Sequence, residues 1–263
     1  MTKILQADFH QRIDEVVIVG VGGTGASVAR STARIIYDMQ QRGLHTPRLT
    51  LVDGDKVEER NVGRQLFAPS DCGRFKSVVV AQRLSYTFGI AVQAVPEMFD
   101  VRRHTDYHGT LLIGAVDNHL ARIEMSRFSG LILDMGNHRD SGQAILGNTG
   151  DRDVALHALK QSEKGDVIHH LPNAALTFPE LLQGEAPAPK DEPGVSCAQL
   201  VAAGEQHLLI NDMMAVAAAG YIHSLLNRLP ITSWMTFVDI GMGFAMRPVQ
   251  ITPENILAYI GKN

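Results

Sequence analysis

The sequence predicts an α/β protein: a mostly parallel central sheet flanked by helices, with an antiparallel extension at the C-terminus. Three observations predict it. Apolar, β-branched runs alternate with helix-compatible segments through the first half, the pattern of parallel strands joined by crossover helices. The first of these runs ends in GVGGTG, Gly20–Gly25, just before a helical segment. Near the C-terminus, SWMTFVDIG and GFAMRPVQI flank Met242 and read as a hairpin.

Each element has its own signal. EVVIVGVGG is apolar without alternation, as a strand buried on both faces requires. Thr24 to about Arg42 is rich in Ala, Arg, Ile and Gln and suits a helix. RLTLVD follows as a strand, KSVVVAQRLSYTF as a helix and AVQAVPE as a shorter strand. GTLLIGAVD and GLILDMG are two further strands, separated by a helix that begins near Asn118, and GQAILGN is expected at a sheet edge. From Gly150 to Ser196 the chain is polar and interrupted by Pro172, Pro179, Pro187, Pro189 and Pro193, so a long crossover loop is expected. The Ala-rich stretch from Ser196 to Leu229 reads as one or two helices. The expected organisation is a single domain over 1–263: a nucleotide-binding half over 1–149, a crossover insert over 150–196, and a helix with terminal hairpin over 197–263.

Composition excludes several function classes. At 263 residues, 45% hydrophobic and 20% charged, the chain can bury a full globular core. A net charge of −4 and a pI near 6.2 argue against a nucleic-acid partner, and 6% aromatic residues offer no stacking platform. No apolar run nears the ~20 residues that span a bilayer, and AVAAAGYIHSLL is interrupted by His223, so no membrane partner is expected. The opening MTKILQADFHQRIDE lacks an apolar signal core. Cys72 and Cys197 cannot build a disulfide framework or a four-thiolate zinc site, so the expectation is a cytoplasmic protein without structural zinc. His169 and His170 read as solvated loop residues, with no His/Cys/Asp spacing of a ligand set.

The glycine motif has a mechanism in its setting. Between a strand and a helix, Gly20, Gly22, Gly23 and Gly25 allow a tight turn and close backbone approach, so amide groups at the helix N-terminus can face an anion. Asp53 ends the second strand, where an acid accepts hydrogen bonds from ribose hydroxyls, and Asp55 lies two residues on, on the same face by alternation. At this point NAD and ATP fit equally. Arg64 and Lys76 separate them: a guanidinium can fork onto two phosphate oxygens and an ammonium acts as a point charge, which suits a triphosphate.

The pattern D-G-D-x-V-E-x-x-N-x-x-R-Q followed by G-R-F-K resembles the signature of the ThiF/MoeB/ubiquitin-activating family. VDN, Val116–Asn118, matches the family's Asp-Asn pair after the fourth strand. GGTGASVA, NVGRQLF, LDMGNHRDSGQAILG, SCAQL…EQHLLIN and RPVQI resemble, in order, segments of the ThiF-like proteins of plasmid-associated PRTRC gene clusters. The resemblance implies a Rossmann-like ThiF/MoeB fold and adenylation of the C-terminal carboxylate of a ubiquitin-like or other small protein, with ATP and Mg²⁺. It implies that Gly22, Gly23 and Gly25 shape the phosphate loop, and that Asp53 holds the ribose with Asp55 beside it. Asn61, Arg64, Gln65 and Asn118 line the nucleotide, Lys76 neutralises the outer phosphates, and Asp117 holds Mg²⁺. A plain helix N-cap is the alternative role for Asp117. The family's paired C-x-x-C zinc site has no counterpart here.

Cys197 precedes a predicted helix, where a thiol pKa falls, and many relatives transfer the acyl group to a cysteine on a similarly placed segment. It is therefore a candidate acyl-accepting nucleophile, against a structural role; Cys72 reads as incidental. Relatives are homodimers or pseudo-dimers, and some lend an Arg from the neighbour's N-terminal segment, for which Arg12 is the nearest counterpart. Two other readings stand beside adenylation: a nucleotide-binding, non-catalytic interaction protein of a PRTRC system, and an NAD-dependent oxidoreductase, which leaves the cluster from Asn61 to Lys76 unexplained.

Overall fold

The computed structural model describes residues 3–106, 109–183, 209–241 and 243–261. A two-residue strand, β1 (Gln6–Ala7), is followed by β2 (Glu15–Val19), α1 (Gly23–Gln41), β3 (Arg48–Val52), α2 (Lys76–Phe88) and β4 (Val92–Val95). After α3 (Val101–His104) come β5 (Thr110–Gly114), α4 (His119–Ser126), β6 (Leu131–Asn137) and β7 (Ser141–Gly147). The C-terminal part holds α5 (Arg152–Ser162), β8 (Val167–Ile168), α6 (Ala174–Thr177), α7 (Ile210–Leu226), β9 (Ser233–Asp239), β10 (Ala245–Gln250) and α8 (Pro253–Ile260).

Eight strands form one sheet in the order β10-β9-β7-β6-β5-β2-β3-β4. The five from β6 to β4 are parallel, whereas β7, β9 and β10 join antiparallel. The chain runs from β2 outward through β3 to β4, then crosses back to β5 on the other side of β2. That reversal opens a crevice at the C-terminal ends of β2 and β5, where ligands bind in open α/β sheets. The inner parallel strands are covered on both faces, which is why they read as continuous apolar runs, while β4 at the edge is only partly buried. Val16, Ile18, Leu49, Leu51, Leu111 and Ile113 join the larger core, while Val17, Val19, Val52 and Leu112 join a smaller one with Met125 and Phe128.

Helix α7 runs alongside α1 in the same direction. Thr24 Oγ1 donates to Asn211 Oδ1 (2.9 Å) near the start of both, and Arg42 Nη2 donates to Asn227 Oδ1 (2.6 Å) just past the end of both. No helix among the described residues is long and apolar enough to cross a membrane.

The structure departs from the sequence reading in three places. GQAILGN is not at an edge: β7 lies between β6 and β9, and the hairpin β9–β10 extends the sheet beyond it. Its Gly and Gln residues give little apolar signal, yet Ala144, Ile145 and Leu146 are buried because both flanks are occupied. The segment after Gly150 is not all loop either. Asp151 caps α5 by accepting from the Asp153 and Val154 N–H groups, and Ala155, Ala158, Leu159 and Ser162 form its buried stripe at helical spacing. Both described prolines of this segment, Pro172 and Pro179, come after α5 and β8. Finally, α8 extends the chain past the hairpin, started by the Thr252 cap and Pro253 in its first turn. Residues 184–208, including Cys197 and Pro187, Pro189 and Pro193, lie outside the described residues.

Candidate functional site

The glycine turn sits at the mouth of the crevice. Gly20 has φ +83°, and a side chain there would come within 2.6 Å of the Ala115 carbonyl, so the turn is held against the end of β5. A methyl on Gly25 would lie 1.8 Å from the Gly20 carbonyl oxygen, so the first turn of α1 folds back onto the loop with no room for any atom. Gly22 differs: it is the N-cap of α1 without a side-chain cap, and a methyl there would meet nothing nearer than the Gln65 amide at 3.8 Å. The N-terminus of a 19-residue helix therefore has a free approach on the Gly22 side, with N–H groups that no side chain satisfies.

Asp53 anchors this turn. Its Oδ2 accepts from the Val21 N–H (2.6 Å) and its Oδ1 from the Asp55 N–H (2.8 Å). Burial pushes its pKa above the ordinary carboxylate value despite those two bonds. Asp55 is exposed and its carboxylate accepts from Lys76 Nζ at 3.0 Å, while its carbonyl accepts from the Lys76 backbone N–H. Lys76 is the first residue of α2, its side chain only 12% exposed. A chain of contacts thus runs from the glycine turn through Asp53 and Asp55 to the Lys76 ammonium.

The segment between them folds as two short 3₁₀ turns, Glu59–Asn61 and Pro69–Asp71. Asn61 is buried, and its amide oxygen accepts from the Glu58 N–H (2.9 Å), so that oxygen shapes the turn rather than facing a ligand. Its carbonyl accepts from the Gln65 N–H (3.0 Å) and steers Gln65 toward the glycine turn. The Gln65 Oε1 is buried and has no hydrogen-bond partner among the described residues. Such an orphan is costly, and here it lies beside Gly22, which needs an outside partner. Arg64 is half-buried, and among the described residues its guanidinium makes no ion pair or hydrogen bond. Asp71 braces the second turn, accepting from the Ala68 N–H and pairing with Arg83 and Arg74. Burial alone would raise its pKa, but those donors outweigh it and hold the carboxyl below the ordinary value.

At the end of β5, Asn118 is the N-cap of α4, its side chain accepting from the Ala121 N–H at 2.8 Å. The cap role considered for Asp117 therefore belongs to its neighbour, and Asp117 is exposed two residues beyond Ala115, which touches the glycine turn. Arg122, buried on α4, donates to the Val116 and Met135 carbonyls (2.9 and 3.2 Å) and fixes the strand end that carries Asp117.

The crevice thus gathers Gly20, Gly22, Gly23, Gly25, Asp53, Asp55, Gln65 and Lys76 through direct contacts, with Arg64 and Asp117 beside them in the chain. Arg12 lies before β2, at the end of the strands opposite the glycine turn, where it pairs with Asp14 at 2.8 Å. Cys72 is exposed just after the second turn, and Cys197 falls among the undescribed residues. Sequence reasoning missed Asn211, whose amide accepts from Thr24 and Asn137 and crowds Gly23 (2.4 Å to a methyl placed there). Nothing local marks it: it reaches the turn only because α7 lies along α1. His169, in the loop after β8, packs on His10, and its Nδ1 lies 2.7 Å from the Asp8 carbonyl.

The site brings together free helix amides, an acid at the tip of the second strand, an orphaned amide oxygen and the Lys76 ammonium. Residues 4–131 match the ThiF family. No curated protein matches the chain. Among solved structures, E. coli MccB superposes with a TM-score of 0.53 at 15% identity, covering 91% of this chain and 62% of that one. PaaA gives 0.55 at 16% identity, covering 90% and 73%. The E. coli MccB structure with MccA-N7isoASN gives 0.56 at 14%, covering 94% and 67%. These likenesses show the fold, and the chain spans 62% of the length of the first MccB structure. The stretch that matches the ThiF family, residues 4–131, is the one that holds the glycine turn, Asp53, Arg64, Lys76 and Asp117.

Proposed function

We propose that the protein is an ATP-dependent adenylyltransferase acting on the C-terminal carboxylate of a peptide or small, ubiquitin-like protein. The observation that carries this reading is the Gln65 amide, buried and unpartnered beside the one open glycine of the turn, with the Asp53–Asp55–Lys76 chain reaching the same place. The family match and the MccB structure solved with ATP support it.

The residues divide the work by charge. The α1 amides and the Gly22 turn receive phosphate oxygens, and Asp53 accepts from the ribose while holding the turn through Val21. Asp117, with its neighbour taking the helix cap, is the carboxylate that would hold Mg²⁺, and the ion would supply positive charge against the phosphates. The substrate carboxylate attacks the α-phosphorus, the bond to the bridging oxygen breaks, and pyrophosphate leaves. Arg64 and Lys76 supply fixed positive charge where negative charge collects, so no side chain has to act as a nucleophile in this step. For Lys76 this means sharing its ammonium between Asp55 and the phosphates. A homodimer, the PRTRC assignment and thioester transfer to Cys197 belong to the same reading and rest on the sequence resemblance.

The test is ATP–pyrophosphate exchange with a candidate small ubiquitin-like protein, with the acyl-adenylate detected by mass. Lys76→Ala is expected to lower the exchange rate by about 10²-fold or more, the scale of losing one key electrostatic partner. Exchange at the wild-type rate in that variant overturns the reading. Nucleotide binding without any pyrophosphate release leaves a nucleotide-holding interaction protein instead.

A further inference from the structure

Away from the nucleotide crevice, we propose a divalent transition-metal site, suited to Zn²⁺, held by Asp8, His10 and His169. Their ligand atoms all lie within 4.8 Å of one another. The fold makes the cluster from residues about 160 apart in the chain. Strand β1 pairs in parallel with β8, Ala7 opposite Ile168, and the Asp8 N–H donates to the Ile168 carbonyl at 3.0 Å. The residues just past both strand ends, 8–10 and 169, therefore emerge side by side.

The hydrogen-bond pattern asks for a cation. The His169 Nδ1 lies 2.7 Å from the Asp8 carbonyl, which can only accept, so Nδ1 carries the proton and Nε2 presents a lone pair. The His10 Nδ1 faces Asp8 Oδ2 at 3.4 Å, and its Nε2 is turned toward His169. Those two Nε2 atoms stand 3.2 Å apart. At that distance the two nitrogens are within reach of one shared proton, and equally of one metal ion set between them. Two Zn–N bonds of about 2.05 Å that span such a gap subtend roughly 100°, close to the tetrahedral angle zinc takes. The rings are tilted by 31° with centroids 4.0 Å apart, so a modest opening of the tilt aims both nitrogens at one point.

The surrounding shell is also that of a ligand set. A metal-bound imidazole usually donates its other N–H to a carbonyl or carboxylate, and the Asp8 carbonyl takes that place for His169, leaving the Asp8 carboxylate as the third ligand. His10 is held in place by a backbone bond to Asp8 Oδ1 (2.9 Å) in a left-handed conformation, φ +53°. Asp8 and His10 also line a cleft of about 420 Å³ with Ser224 and Arg228, which leaves room for the water that completes a three-ligand site. The cleft includes Ile13 and Leu131, at the start of parallel strands, so it lies on the sheet edge opposite the glycine turn. The proposed metal is thus separate from the Mg²⁺ of the nucleotide reading.

The test uses the full chain, stripped with chelator and titrated with ZnCl₂ by calorimetry. One equivalent is expected to bind. His169→Ala and His10→Asn should each weaken binding by at least about 100-fold, the upper range for losing even an outer partner of a metal ligand. Asn tolerates the left-handed backbone at position 10, so that variant keeps the fold while removing the imidazole. His170→Ala, next in the chain but outside the cluster, should bind as wild type. X-ray absorption at the zinc edge supplies a readout that needs no variant, with imidazole nitrogens at about 2.05 Å expected. No stoichiometric zinc, binding unchanged in both variants, or thiolate sulfur in the shell would each overturn the proposal.

Discussion

Two glycines of the same turn should respond oppositely to the same methyl group. In Gly25→Ala the new carbon would stand 1.8 Å from the Gly20 carbonyl oxygen and 3.2 Å from the Ala115 methyl. The obstacle is backbone on one side and a strand end on the other, so neither yields cheaply. Overpacking costs about 1–3 kcal/mol, and a clash with main chain belongs at the upper end. At about 2–4 °C per kcal/mol for a chain of this size, the melting point should fall by roughly 6–12 °C. In Gly22→Ala the nearest atom is the Gln65 amide at 3.8 Å. Loss of a glycine N-cap costs a few tenths to about 1 kcal/mol, and the stiffer unfolded chain returns about 0.4–1 kcal/mol, so stability should hardly move. The methyl nevertheless occupies the approach to the α1 amides, and Mg-ATP affinity should fall by about 10-fold or more, or ~1.4 kcal/mol. Differential scanning calorimetry and titration calorimetry read the two quantities separately. Wild-type Mg-ATP affinity in Gly22→Ala would refute the phosphate-cradle reasoning, and an unshifted melt in Gly25→Ala would refute the packing.

Gln65→Leu removes the orphaned buried oxygen, so it should leave the fold as stable or more so, by up to about 1 kcal/mol, while weakening Mg-ATP binding; a variant that binds nucleotide unchanged denies Gln65 its part. Asp71 has a folded pKa below its ordinary value, so its stabilisation is complete above pH 3.8 and disappears as pH falls from there through the folded value. Asp71→Asn should therefore cost about 1–2 kcal/mol near neutrality, modest because Arg83 and Arg74 are half-exposed and screened, and should flatten the acid limb of a stability-against-pH curve. Cys197→Ala is expected to keep adenylate formation and lose any thioester to the partner, and a thioester surviving on that variant's gel would end the nucleophile assignment.

How much could be read in advance follows from where each signal resides. The parallel half was legible because strands covered on both faces are apolar throughout, and Lys76–Phe88 was delimited to the residue by the polar loop before it and Gly89 after it. The Asp53-to-Lys76 cluster was legible because its members are close in sequence and at the ends of strongly patterned elements. What escaped reading depends on tertiary pairing. The interior place of β7 is decided by β9, nearly 90 residues later, and Asn211 meets Gly23 only through the packing of α7 on α1. The 150s defeated the reading for another reason: α5 is short, its apolar stripe is made of Ala and Ser as much as Leu, and the prolines downstream dominate the composition. His10 and His169 carry no spacing signal at all, since a two-residue strand pair is what joins them.

The double grip of Asp53 on Val21 and Asp55 has a consequence for anyone wishing to retune which nucleotide is accepted. In many nucleotide folds the acid at the second strand tip is the natural place to redesign sugar preference. Here the same carboxylate is also the bolt of the turn above it, so an edit at that position would loosen the phosphate end together with the sugar end. Selectivity in this scaffold is better altered at Gln65, whose amide stands beside Gly22 without carrying the turn.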